Sequence, residues 1–171
     1  MNKASARLFF ALWPDAEIRR QLIDLQSRLA ARGRRVPARR LHMTLAFLGQ
    51  VRLAQLPELR RIAAGLALPP EPLVLDRLGW FEKAGAGWLG CSAVAPAWAA
   101  FARDLNAELQ AAGFRHEDRP WQPHVTLYRD LRKPFEMIRF EAVQWTAESF
   151  CLVLSEHHKL GLGYTRIGTW P

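Results

Sequence analysis

One short pattern occurs twice in this chain: Leu41-His42-Met43-Thr44-Leu45 and Pro123-His124-Val125-Thr126-Leu127, separated by nearly half its length. The chain has five histidines in 171 residues, and chance placement would supply only roughly 0.15 His-x-Thr tripeptides. The pattern constrains the backbone, because polar residues at every second position suit a strand, whose side chains alternate between faces. Each copy therefore predicts a strand that presents a His–Thr pair on one face and anchors the other in the core. For the first copy the expected core side is Leu41, Met43, Leu45 and Phe47. For the second it is Pro123, Val125 and Leu127.

The segments around the two copies alternate irregularly between strand and helix patterns. Arg7 to Leu12 suits a strand covered on both faces. A helix with Pro14 in its first turn follows, carrying Ile18, Leu22, Leu25 and Leu29 at helical spacing until Gly33 stops it. Leu41 to Leu48 is a strand and Leu53 to Leu66 a second helix. Strands are expected at Leu73 to Phe81 and Trp88 to Val94, then a third helix from Ala97 to Ala112, opened by Pro96 and ended by Gly113. His124 to Arg129 is the next strand, followed by strands near Phe140 to Thr146, Phe150 to Ser155 and Tyr164 to Thr169. Paired strands between helices predict an α+β fold with mixed or antiparallel sheets rather than a doubly wound parallel one. No linker divides residues 1–171, so one domain is expected, with Pro69, Pro70 and Pro72 marking a crossover between two lobes.

Half of the residues are hydrophobic and 23% are charged, with seven Trp and nine Phe, which excludes disordered and collagen-like classes. Residues 84–102 carry no charge and approach membrane-spanning length, but their glycines, alanines and Pro96 favour a buried strand and the start of a helix. Cys91 and Cys151 form no CxxC pair, so neither a disulfide framework nor a cysteine zinc site is indicated. With no export signal evident at the N-terminus, a cytoplasmic location and no membrane partner are expected. The net charge of +8 favours an acidic partner. Six of the arginines fall within residues 28–40, a stretch without an acid. That stretch reads either as a solvated helix end or as a contact for a phosphate backbone, and Arg39 and Arg40 are its candidate substrate-binding residues.

Two histidines and two hydroxyls in such a chain suit phosphoester chemistry. An imidazole pKa of about 6.5 lets one ring act as neutral base and another as protonated acid at the same pH. Displacement at phosphorus sets the entering and leaving oxygens on opposite sides, which two related strands can serve. Thr44 and Thr126 can donate to the non-bridging oxygens. No carboxylate or cysteine accompanies either motif at ligand spacing, so no metal or other cofactor is expected. On an unbroken strand Tyr128 shares the face of His124 and Thr126, where it can stack on a base, while Arg129 is turned away. His116, His157 and His158 read as solvated loop residues.

The paired HMTL and HVTL, with ARLFFAL at the start, Gly49 after LHMTLAFL, PHVTLYRD at the second motif and LVLSE with GLGYTRIGTWP at the end, resemble the two-histidine (2H) phosphoesterases. The similarity is to their LigT branch, the RNA 2',3'-cyclic phosphodiesterases. That resemblance implies a bilobal α+β fold with two pseudo-symmetric lobes, sheets flanked by helices, and a basic central cleft with one His-x-Thr strand from each lobe. It implies hydrolysis of a 2',3'-cyclic phosphate at an RNA end to a 2'-phosphate, with His124 as proton acceptor, His42 as proton donor, Thr44 and Thr126 holding the phosphate, and Arg129 supporting it. Some members also join tRNA halves through a 2'-5' linkage, so RNA ends, tRNA halves among them, are the implied partners of a monomer. Ser155 and Tyr164 match a structural strand pair. Two alternatives stay open at this point: a catalytically silent RNA-binding module, and a phosphodiesterase for 2'-5' oligonucleotides or small cyclic nucleotides.

Overall fold

Residues 4–158 and 161–171 are described by a computed structural model, the side chain of His158 excepted. In chain order the elements are β1 (Ser5–Leu12), α1 (Ala16–Arg28), β2 (Arg34–Arg35), β3 (Met43–Arg52), α2 (Leu56–Ala64), β4 (Leu73–Leu75), β5 (Arg77–Phe81) and β6 (Ala86–Gly90). They continue as α3 (Pro96–Ala111), β7 (His124–Arg129), β8 (Val143–Trp145), β9 (Phe150–His158) and β10 (Gly161–Trp170). The α+β expectation holds, and of its mixed or antiparallel options every strand pairing among the described residues is antiparallel.

Local signals explain most boundaries. The Asp15 carboxylate accepts from the Ile18 amide at 2.8 Å and caps α1. Pro14 thus precedes the cap rather than lying in the first turn, and its carbonyl receives Arg19 Nη2 at 2.9 Å. α1 ends well before Gly33, because Leu29 turns extended. Gly33 serves a different purpose: a Cβ there would lie 2.6 Å from the Arg129 carbonyl oxygen, so only glycine lets this segment close on β7. α3 opens with Pro96 in its first turn, as expected. The expected strand at 73–81 is divided: β4 pairs with β8 in a two-stranded sheet, whereas β5 joins the large sheet.

The large sheet runs β10-β9-β1-β3-β7-β6-β5, with β2 also on β7. Its two halves meet between β3 and β7 through the single register pair Met43↔Val125. One motif therefore sits at the inner margin of each half, which is the bilobal arrangement. Leu8, Phe10 and Leu12 of β1 enter the main core with Leu22, Met43, Leu105, Val125 and Phe150. Phe9 and Ala11 face the other way and form a small cluster with Cys151 and Val153, flanked by Trp13, Phe47 and Tyr164. β1 is thus covered on both faces, and its second face becomes part of the site floor. The uncharged stretch at 84–102 supplies buried Leu89 and Trp98 to the main core. Among the described residues no helix is long and apolar enough to cross a membrane.

Candidate active site

Two register shifts decide what faces the cleft. Along β3, Thr44 lies opposite Ala11 and Ala46 opposite Phe10, so Leu45 has no counterpart on β1. Leu45 and Ala46 both enter the core, and Phe47 emerges on the His42 face. The expectation that Phe47 belongs to the core side fails for that reason.

Along β7, Thr126 lies opposite Trp88 and Tyr128 opposite Gly87, which leaves Leu127 without a partner on β6. Leu127 and Tyr128 are both buried in the core, and Arg129 returns to the side of His124 and Thr126. This reverses two expectations. Tyr128 is only 2% exposed. Its hydroxyl donates to the Gln26 carbonyl at 3.0 Å and receives Arg35 Nε at 2.9 Å, so it does not stack on a base. Arg129 lines the cleft instead of turning away.

The result is one cavity of about 300 Å³ that His42, Thr44, His124, Thr126 and Arg129 all line. The two imidazoles are held by the same device. Nδ1 of His42 lies 2.6 Å from the Arg40 carbonyl oxygen, and Nδ1 of His124 lies 2.8 Å from that of Gln122. A carbonyl only accepts, so each Nδ1 carries the proton and each Nε2 is left for a ligand.

Aromatic rings surround both histidines. Around His42 are Phe9 at 5.1 Å, Trp13 at 5.4 Å and Tyr164 at 5.2 Å between ring centroids. His124 meets Phe81 at 5.1 Å and Trp88 at 5.9 Å. Burial pushes the His42 pKa down to about 4, with the Arg40 carbonyl opposing and the charges of Arg129, His124 and Arg40 adding to the fall. His124 is lowered as well, by burial first and Arg129 next, against the Gln122 carbonyl. Both rings are therefore neutral at neutral pH.

Arg40 does not line the cavity; its backbone orients His42 and its guanidinium lies over the Tyr164 ring at 5.3 Å. Arg39 is exposed and outside the lining, so neither arginine is a cavity residue. Conversely, Arg7, Ser155, His157 and Tyr164 do line it. Arg7 pairs with Ser155 across β1 and β9, and Ser155 with Tyr164 across β9 and β10, making one row of side chains. His157 belongs to β9 rather than to a loop, and its i+2 spacing from Ser155 was the available sign of a shared face. His116 lies outside the site, 3.5 Å from Asp118, and the His158 side chain falls outside the described residues.

On the His124 side a second cavity of about 380 Å³ adjoins, sharing Thr44, Phe47 and His124 and adding Phe81 and Trp121. Trp121 Nε1 donates to the Thr44 carbonyl at 2.9 Å, which ties the second half of the fold to the first motif. Among the described residues no group of three or more His, Cys, Asp or Glu side chains is arranged to hold a metal ion. Two imidazoles with free Nε2 atoms, two hydroxyls and a guanidinium around one cavity can bind an anion and move protons on either side of it.

Comparison with known proteins finds phosphoesterases similar to this chain in sequence and in fold. The family model described as LigT like Phosphoesterase matches residues 12–88. The chain is 36% identical over 126 residues to an RNA 2',3'-cyclic phosphodiesterase of Escherichia coli K12, covering 72% of each chain. It is 31% identical to the protein of that name from Thermus thermophilus, covering 93% of this chain and 86% of the relative. The crystal structure of E. coli LigT complexed with 3'-AMP superposes with a TM-score of 0.84 at 30% identity, covering 98% of both chains.

Proposed function

The chain belongs to the LigT-like phosphoesterase family, and on that premise we propose that it opens the 2',3'-cyclic phosphate at an RNA end to a 2'-phosphomonoester by two-histidine acid–base catalysis, without a metal. The observation that carries the reading is the matched pair of imidazoles, each fixed through Nδ1 to the carbonyl two residues before it, on one cavity with two threonines and Arg129.

In this reading the Nε2 of His124 takes a proton from water as the water oxygen bonds to phosphorus. The bond from phosphorus to O3' breaks, and O3' takes a proton from Nε2 of His42, a proton the ring gains from solvent when the anionic phosphate binds beside it. The products are a 2'-phosphate and a free 3'-hydroxyl. Thr44, Thr126 and Arg129 hold the non-bridging oxygens and balance the charge that builds on them. The two motifs stem from halves of the sheet that touch through one residue pair, which supports an approach to phosphorus from opposite sides. A 5'-hydroxyl of a second RNA in place of water gives a 2'-5' linkage by the same transfers, and tRNA halves carry suitable ends. Both histidines come from one chain, so a monomer suffices.

Metal-stripped protein incubated with an oligoribonucleotide ending in a 2',3'-cyclic phosphate tests this. The expected product is the 2'-phosphate, unaffected by a chelator. His42→Asn and His124→Asn are each expected to lower kcat by about 10²- to 10⁴-fold. Absence of product from the wild-type protein, or unchanged kcat in either variant, would sink the proposal.

A further inference from the structure

The cluster of arginines at 28–40 does not act as one patch, because the fold sends its members to different places. Arg28 donates to the Arg139 carbonyl at 2.6 Å, Arg35 lies over the Tyr128 ring, and Arg40 over Tyr164. Arg34 is placed differently. In the antiparallel pairing of β2 with β7, Arg34 lies directly opposite Arg129, and Arg35 opposite Tyr128. Directly opposed residues of an antiparallel pair project from the same face. Arg129 lines the catalytic cavity, so Arg34 leaves the sheet on the cavity face, one strand further out.

We propose that Arg34 binds a phosphodiester of the RNA chain beyond the cyclic phosphate, which makes the enzyme favour oligoribonucleotide ends over mononucleotides. The inference rests on the reading of the cavity given above and extends it outward along the sheet.

Three observations support a built subsite. First, β2 is fixed on both sides: Gly33 permits its close approach to the Arg129 carbonyl, and just beyond it the Val36 amide donates to the Leu127 carbonyl at 2.9 Å. The Gln26 side-chain amide donates to the carbonyls of Val36 at 3.0 Å and Leu127 at 2.7 Å. Arg34 therefore springs from an ordered two-residue strand rather than a wandering loop, and its backbone is set before substrate arrives.

Second, the guanidinium is accessible. Its Nε meets the Asp130 carboxylate at 3.0 Å, with 61% of the Arg34 side chain and 67% of the Asp130 side chain exposed. Such a pair is weak and screened by salt. A phosphodiester carries two non-bridging oxygens that suit the guanidinium fork, as a carboxylate does. RNA can replace Asp130 on Arg34 at little cost.

Third, the neighbouring position suits a polymer. A cyclic phosphate held at Arg129 leaves the rest of the RNA to run out of a cavity of only about 300 Å³, and the adjacent cross-strand cation on the same face offers the next anchor.

The test compares Arg34→Ala with wild type on two substrates, a mononucleoside 2',3'-cyclic phosphate and a tetraribonucleotide ending in one. The expected result is a fall of about tenfold in kcat/KM on the tetranucleotide, carried by KM, with the mononucleotide unchanged within about twofold. The dependence of log kcat/KM on log salt for the tetranucleotide should become shallower by about 0.7, the value for one phosphate contact on a single strand. Arg32→Ala makes the same charge change outside the paired register and should alter neither substrate. An equal fall on both substrates, no fall on either, or the same selective loss in Arg32→Ala would each overturn the proposal.

Wild-type protein inactive on both substrates would instead count against the reading of the cavity. Equilibrium binding of a labelled tetranucleotide 2'-phosphate then decides Arg34 by itself: weaker binding by Arg34→Ala upholds the subsite, and unchanged affinity removes it.

Discussion

Trp13 stacks on the His42 imidazole, with ring centroids 5.4 Å apart and planes 10° from parallel. The stack has two opposed consequences. A π face favours an imidazolium by about 0.5–2 kcal/mol, while covering the ring removes the water that would solvate its charge. A pKa pushed down to about 4 from 6.5 corresponds to roughly 3 kcal/mol in favour of the neutral ring. Desolvation wins, and His42 is a neutral imidazole at neutral pH.

Trp13→Ala should therefore raise the His42 pKa towards 6.5, since opening the ring to water outweighs losing the stack. Titration of the imidazole C–H resonances in the ligand-free protein measures this. A further fall of the pKa would mean that the ring contact, not burial, governs the site.

The same burial makes stability depend on pH. The folded pKa of His42, about 4, lies below the ordinary 6.5, so between these values the unfolded chain binds more protons than the folded one. The contribution is fully present above pH 6.5 and is lost as pH falls towards 4, amounting to roughly 3 kcal/mol for this group. His124 is shifted in the same direction. Urea midpoints should decline over that window in the wild type, and His42→Asn should flatten the decline. An equally steep decline in His42→Asn would place the titrating group elsewhere.

An anion in the cavity should reverse the shift. Sulfate keeps its charge across the range, so any change in its affinity reports on the protein. Its inhibition constant should fall as pH drops from 8 to 5, by up to about tenfold per pH unit for each proton taken up. His42→Asn and His124→Asn should each weaken the dependence. A flat profile in the wild type would show that neither imidazole gains a proton with the anion.

Gln26 is a buried polar side chain, 5% exposed, whose amide holds the Leu127 carbonyl at 2.7 Å. Leu127 is the unpaired residue of β7 whose displacement turns Arg129 into the cavity. Gln26→Leu should cost about 1–3 kcal/mol of stability by removing two hydrogen bonds. It should also weaken sulfate binding. In an Arg129→Ala background the stability cost should remain and the loss of sulfate affinity should vanish. Full loss of affinity in both backgrounds would show that Gln26 acts on something other than Arg129.

The two His-x-Thr strands, the α+β class and the three helices were legible in the sequence, because each rests on local rules. Alternation gives a strand face, Asp15 caps α1, and Pro96 opens α3. The choice of antiparallel over mixed pairing and the junction through Met43 and Val125 were not legible, since register between distant strands leaves no local mark. Ser155 and His157 could have been read as sharing a face, but nothing near them in sequence tied that face to His42.

The misreadings share one physical cause. Strict alternation sends Phe47 to the core, Tyr128 to the cleft and Arg129 away from it, and one skipped residue in each strand inverts all three. Those skips go with contacts that no window of sequence contains: Leu45 enters the main core, while Gln26 and Val36 capture the Leu127 carbonyl. The sequence by itself determined which polar side chains stand together on each strand, because strand periodicity pairs each histidine with its threonine. Tertiary structure alone decided which cation joins them and how far the imidazole pKa values fall, because both depend on partners brought in from across the chain.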